Sequence, residues 1–282
     1  MRPALPALLF GATFIALSPI FVRLSDVGPT ASAFWRVALA APLLWPLLLL
    51  SRQTGTSISW RLLAAAGFAF AGDLAFWHWA IQFTSVANST LLANLAAPFV
   101  TLAVWMFWGE RPSGTFAVGL GAALVGVVML VYTSLAFSPT ALLGDAFGVV
   151  TALFYAAYIL AVKGLRDRGA ATLYVMAVTT TLTAVFLLPV ALASGEAMLP
   201  GSATGWLVLA GLAWISHCAG QGLIAYSLAH LPAAFSSVAL LLQPVMAAIF
   251  AWLILSEPLV ALQVAGGLVV LAGIYLARRG ST

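Results

Sequence analysis

The chain is 282 residues long, 63% hydrophobic and only 6% charged, where soluble domains carry roughly 25% charged residues. So little polar surface excludes a water-soluble fold; a bilayer lifts the demand, because the outer surface then meets hydrocarbon. The formal charge of +4 is scattered in small groups at segment ends, which reads as topology signal rather than nucleic-acid affinity.

Charge-free runs between Gly, Pro and Arg punctuation predict an all-α polytopic membrane protein with ten transmembrane helices. They lie near 4–22, 30–51, 60–83, 87–108, 114–133, 142–164, 171–193, 203–228, 233–255 and 259–277. At about 20 residues per span, ten helices with short connections leave no room for a soluble domain. The first run is too long for a signal-peptide core and lacks a cleavage pattern, so it is expected to be the first span of the mature protein. Residues 84–87 divide the third and fourth spans. The stretch 197–256 holds no Asp, Glu, Lys or Arg, and His230-Leu231-Pro232 supplies its break. The lone Cys218 excludes an internal disulfide and reads as a buried thiol. Asn88-Ser89-Thr90 is a glycosylation sequon that arises readily by chance.

Placing the N-terminus in the cytoplasm puts Arg2, Arg52, Arg61, Arg111, Lys163, Arg166, Arg168, Arg278 and Arg279 inside. Only Arg23 then lies in an outside loop, a strong positive-inside bias. Both termini are therefore expected on the cytoplasmic side of a bilayer.

The chain repeats itself. Pro98, Glu110, Gly119 and Gly126 recur as Pro244, Glu257, Gly266 and Gly273, with nine residues from Glu to Gly and seven from Gly to Gly in both copies. The offset is 147 residues (257 minus 110), close to half the chain. Halves of five spans each insert with opposite orientation, so 1–137 and 138–282 are expected to be two inverted five-helix repeats. The two glutamates then fall on opposite faces, each expected to cap or charge-complement the N-terminus of the next helix.

This paired arrangement, with Ala33-Phe34-Trp35-Arg36 opening the second span, resembles the EamA-type repeats of the drug/metabolite transporter superfamily. The second half departs from the family in lacking an equivalent of Arg36. The resemblance implies ten helices, cytoplasmic ends, a bacterial inner membrane and export of small metabolites. Within the superfamily the chain is most similar to bacterial exporters of amino acids, aromatic ones included.

Polar groups within hydrocarbon are costly and so face a cavity or a helix partner. In the third span Trp77, His78 and Gln82 are candidate substrate contacts, and Asp73 or His78 a candidate proton-coupling group. The eighth span offers Trp214, His217 and Gln221 on one stripe at helical spacing. Asn94 and Gln243 stand beside Pro98 and Pro244, and Tyr158, with Tyr155, adds a polar aromatic in the sixth span. Pro19, Pro98 and Pro244 are candidate kinks and hinges. Arg36 is expected to snorkel outward, to pair with Asp26, or to serve a gate. For each residue the structural alternative is a satisfied helix contact. Gly67-x3-Ala71, Gly119-x3-Ala123 and Gly144-x3-Gly148 are expected to allow close helix packing.

No phosphate-binding loop, metal-ligand cluster, nucleophile triad or Asp-rich pair is present in the sequence, so no catalytic residue, metal or cofactor is expected. An intramembrane enzyme would need clustered acidic residues in the spans. A nucleotide-sugar carrier would need several basic ones. The expected partners are lipid and a small, neutral, amphipathic solute; oligomeric state is not encoded in any motif.

Overall fold

The structure is a computed structural model and describes residues 3–51, 58–84, 86–132 and 141–281, without the side chains of 86–88. Arg2, Arg52, the Asn88 side chain of the sequon, Ser85 of the 84–87 break and the 137/138 boundary lie outside the described residues. The helices group into ten rods. These are α1 (Ala4–Leu24), α2 (Pro29–Ser51), α3 (Trp60–Phe83), α4 (Val86–Ala93 and Ala96–Trp108) and α5 (Gly114–Val131), then α6 (Ala141–Asp167), α7 (Thr172–Ala193), α8 (Ala203–Ser227), α9 (Ala233–Leu255) and α10 (Ala261–Gly280). Among the described residues nine helices are long and apolar enough to cross a membrane. The remaining rod, α3, is 24 residues long and carries Asp73 and His78, which lower its hydrophobicity.

The surface is lipid-like. Leu50 is 80% exposed and Phe107 76%, positions that would be costly in water. The interior is built mainly from small residues: Ala12, Ala33, Ala66, Ala123, Ala152 and Ala213 are fully buried. Without a hydrophobic drive between helices in lipid, such residues let backbones approach closely. Several hydroxyls are satisfied within the rods or between them. Thr179 and Thr183 donate to the carbonyls of Val175 and Thr179, at 2.7 and 2.8 Å, and Thr183 also reaches the Gly67 carbonyl at 3.0 Å.

Rods α5 and α10 form an extended antiparallel pair. Gly119 faces Gly273 and Ala277, and Gly126 faces Gly266 and Val270. The Ser113 hydroxyl donates to the Gly280 carbonyl at 2.7 Å, and the Gln263 amide to the Leu130 carbonyl at 3.2 Å. The glycines found by spacing therefore pack crosswise, the first of each copy on the second of the other. Glu110 precedes α5 where α10 finishes, and Glu257 precedes α10 where α5 finishes. The two glutamates lie at opposite ends of this pair.

Neither glutamate caps the following helix. The Ser113 hydroxyl accepts from the Phe116 N–H at 3.1 Å, and the Gln263 carbonyl oxygen accepts from the Val260 N–H at 3.2 Å. Side chains nearer the first turn have taken the role, and Glu257 pairs instead with Arg23. Both halves end their fourth rod in a left-handed residue, Gly109 at φ 74° and Ser256 at φ 56°, again 147 residues apart.

Four rods are interrupted. α1 breaks between Ile15 and Ser18, α2 between Ala38 and Ala41, α4 between Ala93 and Ala96, and α9 between Ala239 and Leu242. Each break lies just before a proline: Pro19, Pro42, Pro98 and Pro244. Proline lacks the N–H that would close the preceding turn and clashes with the carbonyl four residues back. α8 is distorted differently. Leu212–Gln221 forms a π-helical segment, whose i→i+5 bonds underwind the rod.

Candidate functional site

A cavity of about 1030 Å³ of empty space, partly continuous with the exterior, lies among the rods. α1, α2, α3, α4, α6, α8 and α9 line it, while the α5–α10 pair stands outside it. The lining runs from mid-bundle towards the Glu257 end. Val22 lies two residues before the end of α1, and Thr90 four residues after the start of α4. At the other end the first segment of α9 packs on α1, α4, α6 and α10 and closes the bundle. There Arg166 donates to the Ala225 carbonyl at 3.1 Å, and Ser227 to that of Ala4 at 2.9 Å.

Asp73, Trp77 and His78 project from α3 into the cavity with Phe70. Residues 70, 73 and 77 recur at helical spacing, so one face of α3 forms a wall. The Trp77 and His78 rings meet edge to face at 4.8 Å. His78 is buried, and its Nδ1 lies 2.5 Å from the Leu74 carbonyl. A carbonyl only accepts, so Nδ1 carries the proton and Nε2 presents a lone pair. That Nε2 has no partner among the described residues.

Asn94 and Gln243 also line the cavity, at the breaks of α4 and α9, with Pro19 and Pro244 beside them. The Asn94 amide donates to the Thr90 carbonyl at 2.7 Å, turned towards the kink rather than the empty space. Gln221 enters from the π segment. Its amide faces Tyr155 and Tyr158, yet neither its nitrogen nor its oxygen is in bonding geometry with a protein atom.

Other candidates lie elsewhere. Trp214 is half exposed on the outer surface and donates to the Leu39 carbonyl at 3.2 Å. The π segment explains this, since underwinding separates Trp214 from His217 and Gln221, which an α-helix would align. His217 is buried one layer behind the wall, its Nε2 2.8 Å from the Thr180 hydroxyl. Tyr158 is also behind the wall, its ring 4.6 Å from Phe70 and stacked on Tyr155. Gln82 sits near the end of α3, its amide 3.4 Å from Glu196. Pro98 kinks α4 below the cavity without lining it.

Arg36 differs most from expectation. It neither snorkels nor pairs with Asp26, whose carboxylate accepts from Ser202 at 3.0 Å. Its neighbour Trp35 points outward, donating to the Met198 carbonyl at 2.5 Å and packing on Trp206. One residue on, about 100° round the helix, Arg36 is turned inward. It is only 8% exposed, its guanidinium lies 5.7 Å from the Phe70 ring centre, and its Nε is unpartnered. Ser18, Tyr155 and Ser237 complete the polar lining. Ser18 Oγ, Arg36 Nε, His78 Nε2 and both amide atoms of Gln221 thus leave buried hydrogen-bonding capacity at the cavity unfilled. Tyr155 is visible in the sequence; Arg36 is visible there too, but not its direction.

The EamA-like transporter family matches residues 2–132 and again 142–279. An uncharacterized transporter of Archaeoglobus fulgidus is 30% identical, over 97% of this chain and 94% of its own length. The pseudopaline exporter CntI of Pseudomonas aeruginosa is 28% identical, over 96% of this chain and 94% of its own. A solved crystal structure superposes with a TM-score of 0.86 at 16% identity, covering 100% of this chain and 99% of the other, a likeness of fold. With two family matches spanning nearly its whole length, this integral membrane protein is a transporter, not an enzyme, and belongs to the EamA-like transporter family.

Proposed function

We propose that the protein exports small amphipathic metabolites, amino acids among them and aromatic ones included, by alternating access through a mid-membrane cavity. The observation that carries this is the cavity itself: aromatic walls with a few buried polar groups that have no partner among the described residues. Buried polar atoms left unsatisfied are costly, and a passing solute with an apolar body and polar head would satisfy them. The identity with an exporter in Pseudomonas aeruginosa supports the direction of transport. A nucleotide-sugar carrier is disfavoured, because Arg36 is the single basic side chain other than histidine on the cavity lining.

In this reading all ten rods span the membrane as two inverted halves, with both termini cytoplasmic. The antiparallel register of α5 on α10 supports the inversion. Arg61, Arg111, Arg166 and Arg278 then gather at the closed end, and the cavity faces outward. The breaks before Pro19, Pro98 and Pro244 are the hinges by which the lining helices would swing. Asp73 and His78 are candidates for proton coupling; Trp77, Asn94, Gln221 and Gln243 are candidate solute contacts. Tyr158 and His217 would support the wall.

The test is uptake of a radiolabelled panel (neutral amino acids, an amphipathic cation such as ethidium, a nucleotide sugar) into proteoliposomes holding the purified protein. Flux of amino acids above protein-free vesicles is expected. Absence of flux for every compound would overturn the reading.

A further inference from the structure

Among the described residues the cavity lining holds one guanidinium, Arg36 on α2, and one carboxyl group, Asp73 on α3, and no ion pair joins them. Among the described residues Arg23 pairs with Glu257 and Lys163 with Asp167, both outside the cavity. Neither Arg36 nor Asp73 makes a hydrogen bond within the described residues. An ionised side chain inside a bilayer is costly and is normally matched by a counter-charge. Here two side chains able to carry opposite charges border the same cavity without an ion pair between them. Arg36 is held by the Phe70 face, which steadies the guanidinium and leaves its donor fork free. Asp73 is one turn along α3 from Phe70 and one turn before Trp77, so both charges border an aromatic surface.

From this juxtaposition we infer that Arg36 and Asp73 are the two ends of a zwitterion site, Arg36 taking a substrate carboxylate and Asp73 its ammonium. The inference rests on the transport reading above and narrows it to solutes that bear both charges. Each charge of such a solute would lie against an opposite charge, giving both ends an ion-pair partner that the empty cavity does not supply. A guanidinium and a carboxylate match in bidentate geometry. The rest of the solute would lie against Phe70, Trp77 and Tyr155. A solute with one charge fills one end and leaves the other exposed to the penalty of burial, which gives selectivity by rejection as much as by attraction.

The probe is tritiated L-phenylalanine, with L-leucine and L-methionine as alternates, binding to purified protein in a scintillation-proximity assay. Competitors are unlabelled amino acid, phenethylamine, which lacks the carboxylate, and 3-phenylpropionate, which lacks the ammonium. Wild-type protein is expected to bind each single-charge analogue at least about tenfold more weakly than phenylalanine. Arg36→Gln should lower affinity for phenylalanine to that for phenethylamine, and Asp73→Asn to that for 3-phenylpropionate. The analogue series needs no variant, so it decides the matter even where a variant misfolds. Equal binding of zwitterion and single-charge analogues, or unchanged affinity in both variants, overturns the site while leaving transport intact. Binding of no amino acid together with vesicle flux of ethidium also overturns it. Flux of nothing in the vesicle panel instead removes the transport reading beneath it.

Discussion

Gly119 and Gly273 face each other across the α5–α10 interface so closely that a Cβ built on either would lie 2.7 Å from the other's carbonyl oxygen. Gly126 and Gly266 repeat the arrangement seven residues away, at 2.6 and 2.7 Å. The neighbours met are backbone atoms, which cannot rotate aside. Gly126→Leu is therefore expected to push the helices apart and to cost roughly 1–3 kcal/mol, as overpacking does. Gly121, also in α5, has nothing within 4 Å of the point where a Cβ would stand and should accept the same change with little loss. Thermal unfolding in detergent, followed by the loss of monodisperse protein on gel filtration, compares the two. Equal midpoints would mean that the pair is not held by this contact.

The same register sends the chain past Glu110 at one end of the pair and past Glu257 at the other. Single cysteines at these positions, in a Cys218→Ser background, should react with a membrane-impermeant maleimide from opposite sides of the cell membrane. Position 257 is expected to label in intact cells and 110 only after the inner face is exposed. Labelling of both from one side would remove the inverted halves and, with them, the exchangeable gates.

The architecture is legible in the sequence because its signals are periodic and local. Charge-free runs mark rods, and the four breaks each precede a proline, since the missing N–H acts within one turn, although Pro46 and Pro189 sit inside unbroken helices. The Glu-Gly-Gly spacing exposes a repeat between two helices, and the structure shows those two helices packed together. Residue direction inside the bundle is not legible in the same way. Arg36 sits two turns into α2, where snorkelling and burial are both open, and only the outward commitment of Trp35 to Met198 decides between them. Trp214 escapes the sequence pattern for a different reason. Helical spacing presumes 100° per residue, and no residue type in Leu212–Gln221 announces a π segment. On α3, where the helix is regular, Asp73, Trp77 and His78 all reach the cavity.

Ser256 adopts the left-handed conformation, φ 56°, that its counterpart Gly109 adopts at 74° in the first half. A side chain there brings Cβ close to the following carbonyl, and glycine relieves the clash. Ser256→Gly is expected to raise the unfolding midpoint, equivalent to roughly 0.5–1 kcal/mol after allowing for glycine's extra freedom in the unfolded chain. Ser256→Val should lower it. Arg23→Gln, which removes the adjoining exposed ion pair to Glu257, should change stability little, because such pairs are screened and entropically costly. A larger loss for Arg23→Gln than for Ser256→Val would show that the ion pair, not the turn, holds this end together.

His78 and Trp214 separate cavity function from surface packing. His78 lines the cavity, and its Nε2 is a buried acceptor without a partner among the described residues, the ring fixed by the Nδ1–H bond to the Leu74 carbonyl. If solutes use that lone pair, His78→Ala removes an interaction that, at a buried atom of a mostly apolar cavity, is worth more than a typical surface hydrogen bond. It should reduce the initial rate of proteoliposome uptake by about tenfold or more, the equivalent of about 1.4 kcal/mol. Trp214→Phe keeps an aromatic ring towards lipid and loses one bond to the Leu39 carbonyl at the α2 break, so uptake should stay within about twofold of wild type. Both variants must first match wild type in gel-filtration profile, so that loss of flux is not loss of fold. His78→Gln carries a side-chain carbonyl oxygen as an alternative acceptor and should recover part of the rate. Undiminished uptake in His78→Ala would take that ring out of the solute path, and a collapse in Trp214→Phe would place the path on the opposite side of α8.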